Sequence, residues 1–235
     1  MRLTVFGATG GTGAEVVRQA LEAGYQVTAV VRDPARLTVP GAAPVPAASA
    51  RTSATASAPG LAGESTPGRE RFSVVTADVT DPEAIWPALE GADAAVSALG
   101  YRRGDSATIC TDGVGAILTA MEKAGVRRLV AVSASGLFTE AGEPPLTRYL
   151  AKPLLQALLK SGKADAHRME DLITESAADW TIMRPSRLLN RPRRPYRTNL
   201  DRYVSTQIGR ADLAAAILEA LDDPGTIGHR VNVGY

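Results

Sequence analysis

Residues 2–23, RLTVFGATGGTGAEVVRQALEA, join a short apolar segment to an amphipathic one through a turn that contains four glycines. The first five residues have the apolar and β-branched content of a buried strand. The last ten carry apolar side chains at helical spacing, and Gly24 follows as a candidate C-cap. A strand, a glycine turn and a helix in this order predict that backbone N–H groups at the start of the helix face an anion such as a pyrophosphate.

The glycines of this turn have the spacing Gly-x-x-Gly-x-x-Gly. Gly7 permits a tight exit from the strand, Gly10 a close approach of the backbone to the pyrophosphate, and Gly13 close packing of the helix on the strand. The alternative is a glycine-rich β–α turn that binds nothing. The residues of the turn that we expect to bind a dinucleotide are Gly7, Thr9, Gly10, Gly11, Thr12 and Gly13.

Strand-like and helix-like segments alternate along the rest of the chain. The patterns predict strands at 26–31, 72–76, 92–99, 128–133, 180–184 and 229–233, and helices at 82–89, 111–123, 146–160, 163–175 and 211–221. Such alternation is typical of βαβ units, whose right-handed crossovers produce a mostly parallel sheet. We therefore predict an α/β fold: a Rossmann-type doubly wound, mostly parallel sheet with helices on both faces, in one NAD(P)-binding domain that spans residues 1–235.

One segment departs from this alternation. Of the 29 residues from Pro40 to Gly68, 25 are Ala, Pro, Gly, Ser or Thr. This composition offers too little apolar bulk to offset the entropy of ordering the segment. We interpret residues 40–68 as a low-complexity insertion between the second and third strands, whose deletion should leave fold and coenzyme binding intact.

Composition excludes several classes of protein. The chain has 235 residues and a net charge of +1, so no overall charge draws it to nucleic acid or to an anionic membrane. One cysteine and two histidines are too few for a structural zinc site, and no metal is expected. The single cysteine and the lack of a signal peptide or an apolar run of spanning length favour the cytoplasm. A small-molecule acceptor is the expected partner, and monomer and homodimer both remain open.

Arg32 bears on the choice of coenzyme. It follows the second strand, 19 residues after Gly13, where an acidic side chain would bind the ribose 2′-hydroxyl of NAD. An arginine there suits the 2′-phosphate of NADP, so NADP is expected and NAD is possible. The alternative is that Arg32 begins a solvated loop while Asp33 caps a turn before Pro34.

Further motifs follow in a fixed order along the chain. They are Val31-Arg32-Asp33-Pro34, Asp78-Val79-Thr80-Asp81-Pro82, Ser97-Ala98-Leu99-Gly100, Val132-Ser133-Ala134-Ser135-Gly136 and Asp179-Trp180-Thr181-Ile182-Met183-Arg184-Pro185. Together with the glycine turn, they resemble the atypical short-chain dehydrogenase/reductases with an NAD(P)H-binding, NmrA-like fold. That group includes flavin/biliverdin reductase B. The resemblance covers nearly the whole chain except residues 40–68.

The resemblance implies further coenzyme-binding positions at the carboxyl ends of strands. Asp78 and Val79 would border the adenine, and Ser133 would be the active-site serine. The other implied contacts, to the ribose side and the nicotinamide, are Ala98, Leu99, Gly100, Arg184 and Pro185. For Asp78 the alternative role is helix capping, and for Ser133 it is ordinary hydrogen bonding in a loop.

The sequence departs from the family in its catalytic pair. Typical short-chain dehydrogenases use a Tyr with a Lys four residues later, which exchange a proton with the substrate as hydride moves. No tyrosine here has that partner; Tyr149 and Lys152, three residues apart, are the nearest candidates. In flavin/biliverdin reductases a His precedes Ile-Arg-Met, whereas here His167 directly precedes Arg-Met and is rotated by about 100° on a helix. His167 is therefore a candidate general acid, with a solvated or capping histidine as the alternative.

A last segment, residues 184–202, contains seven arginines and three prolines and is predicted to be an extended loop that either binds anions or is simply solvated. Taken together, these observations favour an NADP(H)-binding oxidoreductase that reduces a flavin-, quinone- or similar small acceptor by hydride transfer. The second hypothesis is a non-catalytic, NmrA-like redox sensor, and the third a sugar epimerase or isomerase.

Overall fold

A computed structural model of the protein describes residues 1–38, 50–51, 71–101, 106–139, 141–146, 148–149 and 160–235. Its strands are β1 (Arg2–Phe6), β2 (Gln26–Val31), β3 (Ala50–Arg51), β4 (Phe72–Thr76), β5 (Ala94–Ser97), β6 (Arg128–Val132), β7 (Asp179–Pro185), β8 (Arg187–Leu189), β9 (Arg197–Leu200), β10 (Gln207–Gly209) and β11 (His229–Gly234). Its helices are α1 (Gly11–Glu22), α2 (Pro82–Ile85), α3 (Ile109–Ala124), α4 (Lys160–Glu175) and α5 (Arg210–Asp222).

Within the described residues, nine strands form one sheet in the order β3-β4-β2-β1-β5-β6-β7-β11-β9. All neighbours are parallel except β9, which runs antiparallel to β11. After β1 the chain builds one half of the sheet through β2 and β4, and it then crosses to β5 on the other side of β1. The carboxyl ends of β1 and β5 therefore form the point where the strand order reverses, and open α/β sheets bind ligands at this point.

Both faces of the sheet are covered by helices. On one face, α1 and α5 pack on the sheet through buried side chains that include Val17 and Leu213. On the other face, α3 and α4 pack through Ile117 and Ile173 against Ile182 of β7. This arrangement confirms the predicted α/β class and the doubly wound, mostly parallel sheet.

The bounds of three predicted strands are confirmed, and two helix ends have local causes. The bounds of β1, β2 and β4 coincide with those predicted, and the Asp81 side chain caps α2 by accepting hydrogen bonds from the N–H groups of Glu83 (3.0 Å) and Ala84 (3.2 Å). Gly125 ends α3 in the left-handed region, with φ of 72°. These features depend on nearest neighbours in sequence, which is why they can be predicted from it.

The predicted helix break at Ser161-Gly162 is wrong, because α4 runs from Lys160 to Glu175 without interruption. Glycine weakens a helix by only about 1 kcal/mol relative to alanine. Packing of α4 on α3 outweighs that cost. Most of the predicted helix 146–160 lies outside the described residues.

Segment 184–202 is not a plain loop, since it contains β8 and β9. β9 pairs with β11, and β8 pairs with β10 in a separate two-stranded sheet. Their partners are distant in sequence, so no local pattern predicts the pairing. Of the low-complexity segment 40–68, the structure describes Ala50–Arg51, which pairs with β4 as β3, and the rest lies outside the described residues.

None of the helices among the described residues is both long and apolar enough to cross a membrane.

Candidate functional site

A cleft of about 330 Å³ lies at the carboxyl ends of the central strands, where the strand order reverses. Its walls come from the glycine turn and from the residues that follow β2, β4, β5 and β6. The predicted residues that line it are Gly7, Thr9, Gly10, Gly11, Thr12, Arg32, Val79, Ala98, Leu99, Gly100 and Ser133. The structure therefore brings residues from five separate parts of the sequence into one elongated site.

At two of its glycines, the turn is shaped by backbone contacts that leave no room for a side chain. Gly7 has φ of +77°, and a Cβ there would lie 2.5 Å from the carbonyl oxygen of Ala98. The N–H of Gly10 donates to the Gly7 carbonyl (2.9 Å), and α1 begins at the next residue, three residues earlier than predicted. Gly13 is outside the cleft lining; a Cβ on it would lie 2.3 Å from the Gly7 carbonyl oxygen, so it serves close packing.

At the end of the cleft that follows β2, Arg32 lines the wall, whereas Asp33 faces its own backbone and accepts a hydrogen bond from the N–H of Ala35 (3.0 Å). Asp78 is outside the lining and accepts hydrogen bonds from the N–H (3.0 Å) and hydroxyl (2.9 Å) of Thr80. These two bonds, with a smaller contribution from the positive charge of Arg32, hold the pKa of Asp78 below its usual value. The described contacts of Asp78 thus belong to a local turn, and Val79 beside it borders the cleft.

At the opposite end of the cleft, Ser133 follows β6 and donates a hydrogen bond to Oε1 of Glu170 (2.6 Å). Glu170 lies on α4 and is 2% exposed. Its Oε1 also accepts from Nε of Arg184 (3.0 Å), and its Oε2 accepts from Nη2 of Arg184 (2.5 Å) and Nε of Arg230 (3.1 Å). The carboxylate of Glu170 thus accepts four hydrogen bonds, three of them from guanidinium groups, whose bonds to a carboxylate are among the stronger ones in proteins.

The pairing with Glu170 determines where Arg184 lies. Its guanidinium packs over the ring of Phe138, 3.9 Å from the centroid, and Arg184 and Pro185 are buried outside the cleft lining. The same Phe138 ring contacts His167, with a 4.3 Å separation of the ring centroids. His167 is half-buried in this stack and does not line the cleft.

The proposed tyrosine–lysine pair is not brought to the cleft by the described residues. Tyr149 is 72% exposed, and its ring lies 5.6 Å from the guanidinium carbon of Arg148. Lys152 lies outside the described residues. Of the four candidate catalytic side chains, Ser133 is the one that the structure places in the cleft.

The structure adds lining residues that the sequence did not indicate. These include Ala77, Tyr101, Ile109, Leu188 and Arg210. Leu188 and Arg210 come from β8 and from the start of α5, about 180 and 200 positions after the glycine turn. No spacing rule relates such distant positions, and only the pairing of β8 with β10 brings them to the cleft.

A second cavity of about 400 Å³ adjoins the cleft on the outer side of the glycine turn. The two cavities share Thr9, Gly10, Gly11 and Arg210. Further arginines and polar groups line the second one, namely Arg36, Thr38, Asn190, Arg191 and Glu15. Glu15 is paired with Arg18 (2.8 Å), so the arginines set the local charge.

The glycine cradle, the basic groups beside it and the position at the strand-order reversal fit a dinucleotide. A family model described as NAD(P)H-binding matches residues 7–60 and 62–224. The chain belongs to the NAD(P)H-binding family. Family membership confirms the expectation that the protein binds NAD(P)H, in this general form.

Solved structures show the same fold. A short-chain dehydrogenase/reductase from Veillonella parvula, in complex with NADP, has a TM-score of 0.73 and 20% identity, over 100% of this chain and 94% of that one. An oxidoreductase from Lactococcus lactis has a TM-score of 0.72 and 21% identity, over 99% and 90%. A proposed NAD-dependent epimerase/dehydratase from Bacillus halodurans has a TM-score of 0.69 and 21% identity, over 99% and 93%. Because these names cover different reactions, the fold of this NAD(P)H-binding protein does not select its chemistry.

Proposed function

We propose that this protein is an NADP(H)-dependent oxidoreductase that passes a hydride to a flavin, a quinone or a similar electron-poor acceptor. The observation that carries the proposal is the hydrogen bond from Ser133 to the buried carboxylate of Glu170. Bound NADPH would supply the hydride. The residues of this chain would hold the nicotinamide and the acceptor in contact and exclude water from between them.

The guanidinium donors around the Glu170 carboxylate fix the direction of the Ser133 hydrogen bond. Since a carboxylate can only accept, the Ser133 hydroxyl must donate its proton to Glu170, and only its lone pairs remain for a ligand. Ser133 would therefore accept a hydrogen bond from an N–H group, for example that of a carboxamide. It is not arranged to donate one to a substrate carbonyl, which is what the reduction of a simple ketone requires.

Flavins and quinones fit a cleft of this kind. Among the described residues that line it, Tyr101 is the one phenol, and it is 56% exposed. A flavin or a quinone delocalises the electron pair that arrives with the hydride. The reduced acceptor can therefore take its proton from water after the transfer, without an acid from the protein. The main requirement is then that the nicotinamide ring and the acceptor ring are aligned. The apolar side chains of Leu99, Ile109 and Leu188 offer flat walls against which the two rings could pack.

The preference for NADP rests on charge at the end of β2. Arg32 lines the cleft and Arg36 lines the adjoining cavity, while the carboxylate of Asp33 is engaged with the backbone of its own turn. Guanidinium groups bind a phosphate dianion through paired hydrogen bonds. We expect Arg32→Ala to weaken NADPH binding about tenfold or more and to leave NADH binding nearly unchanged. Equal losses for both coenzymes would refute the assignment.

The test of the function is a turnover panel. Purified protein would be mixed with NADPH and either flavin mononucleotide, riboflavin or menadione, and oxidation followed by the absorbance of the reduced nicotinamide. We expect turnover with at least one acceptor, and a shift in its KM or kcat in Ser133→Ala. Glu175→Gln, an exposed change on the same helix as Glu170, serves as the control and should behave as the wild type. Tight NADPH binding without oxidation of any acceptor in the panel would contradict the proposal.

A second candidate function is a non-catalytic NADP(H) sensor. The observation that favours it is that Glu170, Arg184 and Arg230 are bound to one another, so that the charged groups behind Ser133 are engaged. A sensor would bind NADPH and NADP⁺ with different affinity and present a different surface to a protein partner. Measurable turnover in the panel would reject this candidate.

A further inference from the structure

The side chain of Arg210 packs against the glycine turn at the candidate coenzyme site. It is the first residue of α5 and lines both the cleft and the adjoining cavity. A Cβ built on Gly11 would lie 2.7 Å from Cδ and 3.0 Å from Nε of Arg210. The arginine side chain therefore lies directly over the middle of the turn, beside the first N–H groups of α1.

The position of Arg210 is fixed by its surroundings. The parallel pairing of β8 with β10 matches Gly209 with Leu189, so the next residues on each strand are Arg210 and Asn190. Nη1 of Arg210 donates to Oδ1 of Asn190 (2.6 Å). The junction before α5 is held by the C-terminal Tyr235, whose hydroxyl accepts from the N–H of Gly209 (2.9 Å).

The same hydroxyl of Tyr235 donates to Oδ2 of Asp212 (2.6 Å), and Asp212 is fully buried. A guanidinium supported in this way loses little conformational freedom when it binds an anion. Most of the conformational entropy of the Arg210 side chain is lost on folding, so little more is lost when the anion binds.

We propose that Arg210 binds the pyrophosphate of the coenzyme and holds it against the start of α1. A dinucleotide that spans the cleft from Arg32 to Ser133 has its pyrophosphate at the glycine turn, because the adenosine and nicotinamide ends lie on either side of it. Backbone N–H groups contact one side of that anion. Arg210, whose stem packs on Gly11, supplies charged donors to the same anion beside these N–H groups. Asn190 positions it by a neutral hydrogen bond that leaves its charge for the ligand.

This inference needs only that the chain binds a dinucleotide, and not that it reduces an acceptor. Its test is therefore a binding measurement by calorimetry, which stays informative if the turnover panel fails. The probes are NADPH, NADH, ADP-ribose and 2′-AMP. ADP-ribose contains the pyrophosphate without the nicotinamide, and 2′-AMP contains the 2′-phosphate without the pyrophosphate.

We expect Arg210→Ala to weaken the binding of NADPH, NADH and ADP-ribose by a common factor of about tenfold to a hundredfold, the effect of losing a charged hydrogen bond. Binding of 2′-AMP should not change. Arg210→Lys keeps the positive charge but loses the planar guanidinium, so its affinity for these three ligands should lie between those of the wild type and Arg210→Ala. The control is Arg127→Ala, which also removes one positive charge. Arg127 lies at the amino end of β6, away from the cleft at the carboxyl ends of the strands, and pairs there with Asp179 (3.1 Å).

Asn190 gives a second, independent variant. Asn190→Asp places a carboxylate next to Arg210 that competes with the pyrophosphate, so ADP-ribose binding should fall as it does in Arg210→Ala. Asn190→Ala, which adds no charge, should have a much smaller effect. If Arg210→Ala does not fold, unchanged ADP-ribose binding in Asn190→Asp rejects the proposal.

Two results with folded Arg210→Ala would overturn the assignment. Unchanged affinity for ADP-ribose would show that Arg210 does not contact the pyrophosphate. Joint loss of NADPH and 2′-AMP binding, with NADH binding retained, would show that it contacts the 2′-phosphate instead.

Discussion

Replacement of Glu170 by Gln tests the buried charge cluster behind Ser133. The substitution keeps the volume and one acceptor oxygen, but it turns the other oxygen into an NH₂ group that faces a guanidinium donor. The side chain of Arg184 is only 10% exposed, so it loses its ion pair with Glu170 in a place that water hardly reaches. The side chain of Arg230 is 33% exposed and can be solvated, so its share of the loss is small.

The expected loss follows from these exposures. Removal of one partner of a buried ion pair costs about 3–5 kcal/mol, and the solvated Arg230 places the estimate near the lower end, at about 3 kcal/mol. For a chain of this size, each kcal/mol lowers Tm by about 2–4 °C, so Glu170→Gln should lower Tm by about 6–12 °C.

The assay is thermal unfolding followed by circular dichroism, with urea unfolding as a second measure of the free energy. Glu175→Gln makes the same chemical change at the exposed end of α4 and should stay within about 0.5 kcal/mol of the wild type. Glu170→Gln combined with Arg184→Met should cost less than the sum of the two single changes, because each single change already removes the ion pair between Glu170 and Arg184. A fall in Tm no larger than that of Glu175→Gln, or strict additivity in the double variant, would refute this account of the cluster.

Two further predictions concern the glycine turn and the turn at Asp78. Gly13→Ala should destabilise the protein by about 1–3 kcal/mol and weaken the binding of NADPH and NADH equally, because the new Cβ would lie 2.3 Å from the carbonyl oxygen of Gly7. The control is Gly162→Ala on α4, where no atom of the described residues lies within 4 Å of the new Cβ. It should stabilise the protein by up to about 1 kcal/mol, and equal Tm changes in the two variants would contradict the packing role of Gly13. The Thr80 hydrogen bonds lower the pKa of Asp78 in the folded state, so their stabilisation is present above the ordinary carboxyl pKa and is lost as pH falls through the lower folded value. Below about pH 5, the free energy of unfolding measured in urea should therefore fall less steeply with decreasing pH in Asp78→Asn than in the wild type. Parallel pH dependence in the two proteins would argue against the lowered pKa of Asp78.

Much of the fold and one side of the coenzyme site were predictable from the chain. The bounds of β1 and β2 and the glycine turn follow from local apolar pattern and from backbone conformations that only glycine tolerates. The general coenzyme class follows from the same segment, and the family match confirms it. The uninterrupted α4 was missed because packing on α3 outweighs the local preference of Gly162.

The sequence predicts that a strand, a glycine turn and a helix form a cradle of a shape that suits a dinucleotide, because the contacts within this unit link residues no more than about twenty positions apart. Tertiary structure alone decided what faces that cradle. Glu170 reaches Ser133 from α4, and Arg210 reaches the turn from α5. Such contacts depend on the crossing of the sheet and on the pairing of β8 with β10, and no periodicity in the chain encodes which distant side chains will meet. The segment that marks the protein as a binder of nucleotides is therefore local, and the groups that would set its chemistry are brought together only by the folded sheet.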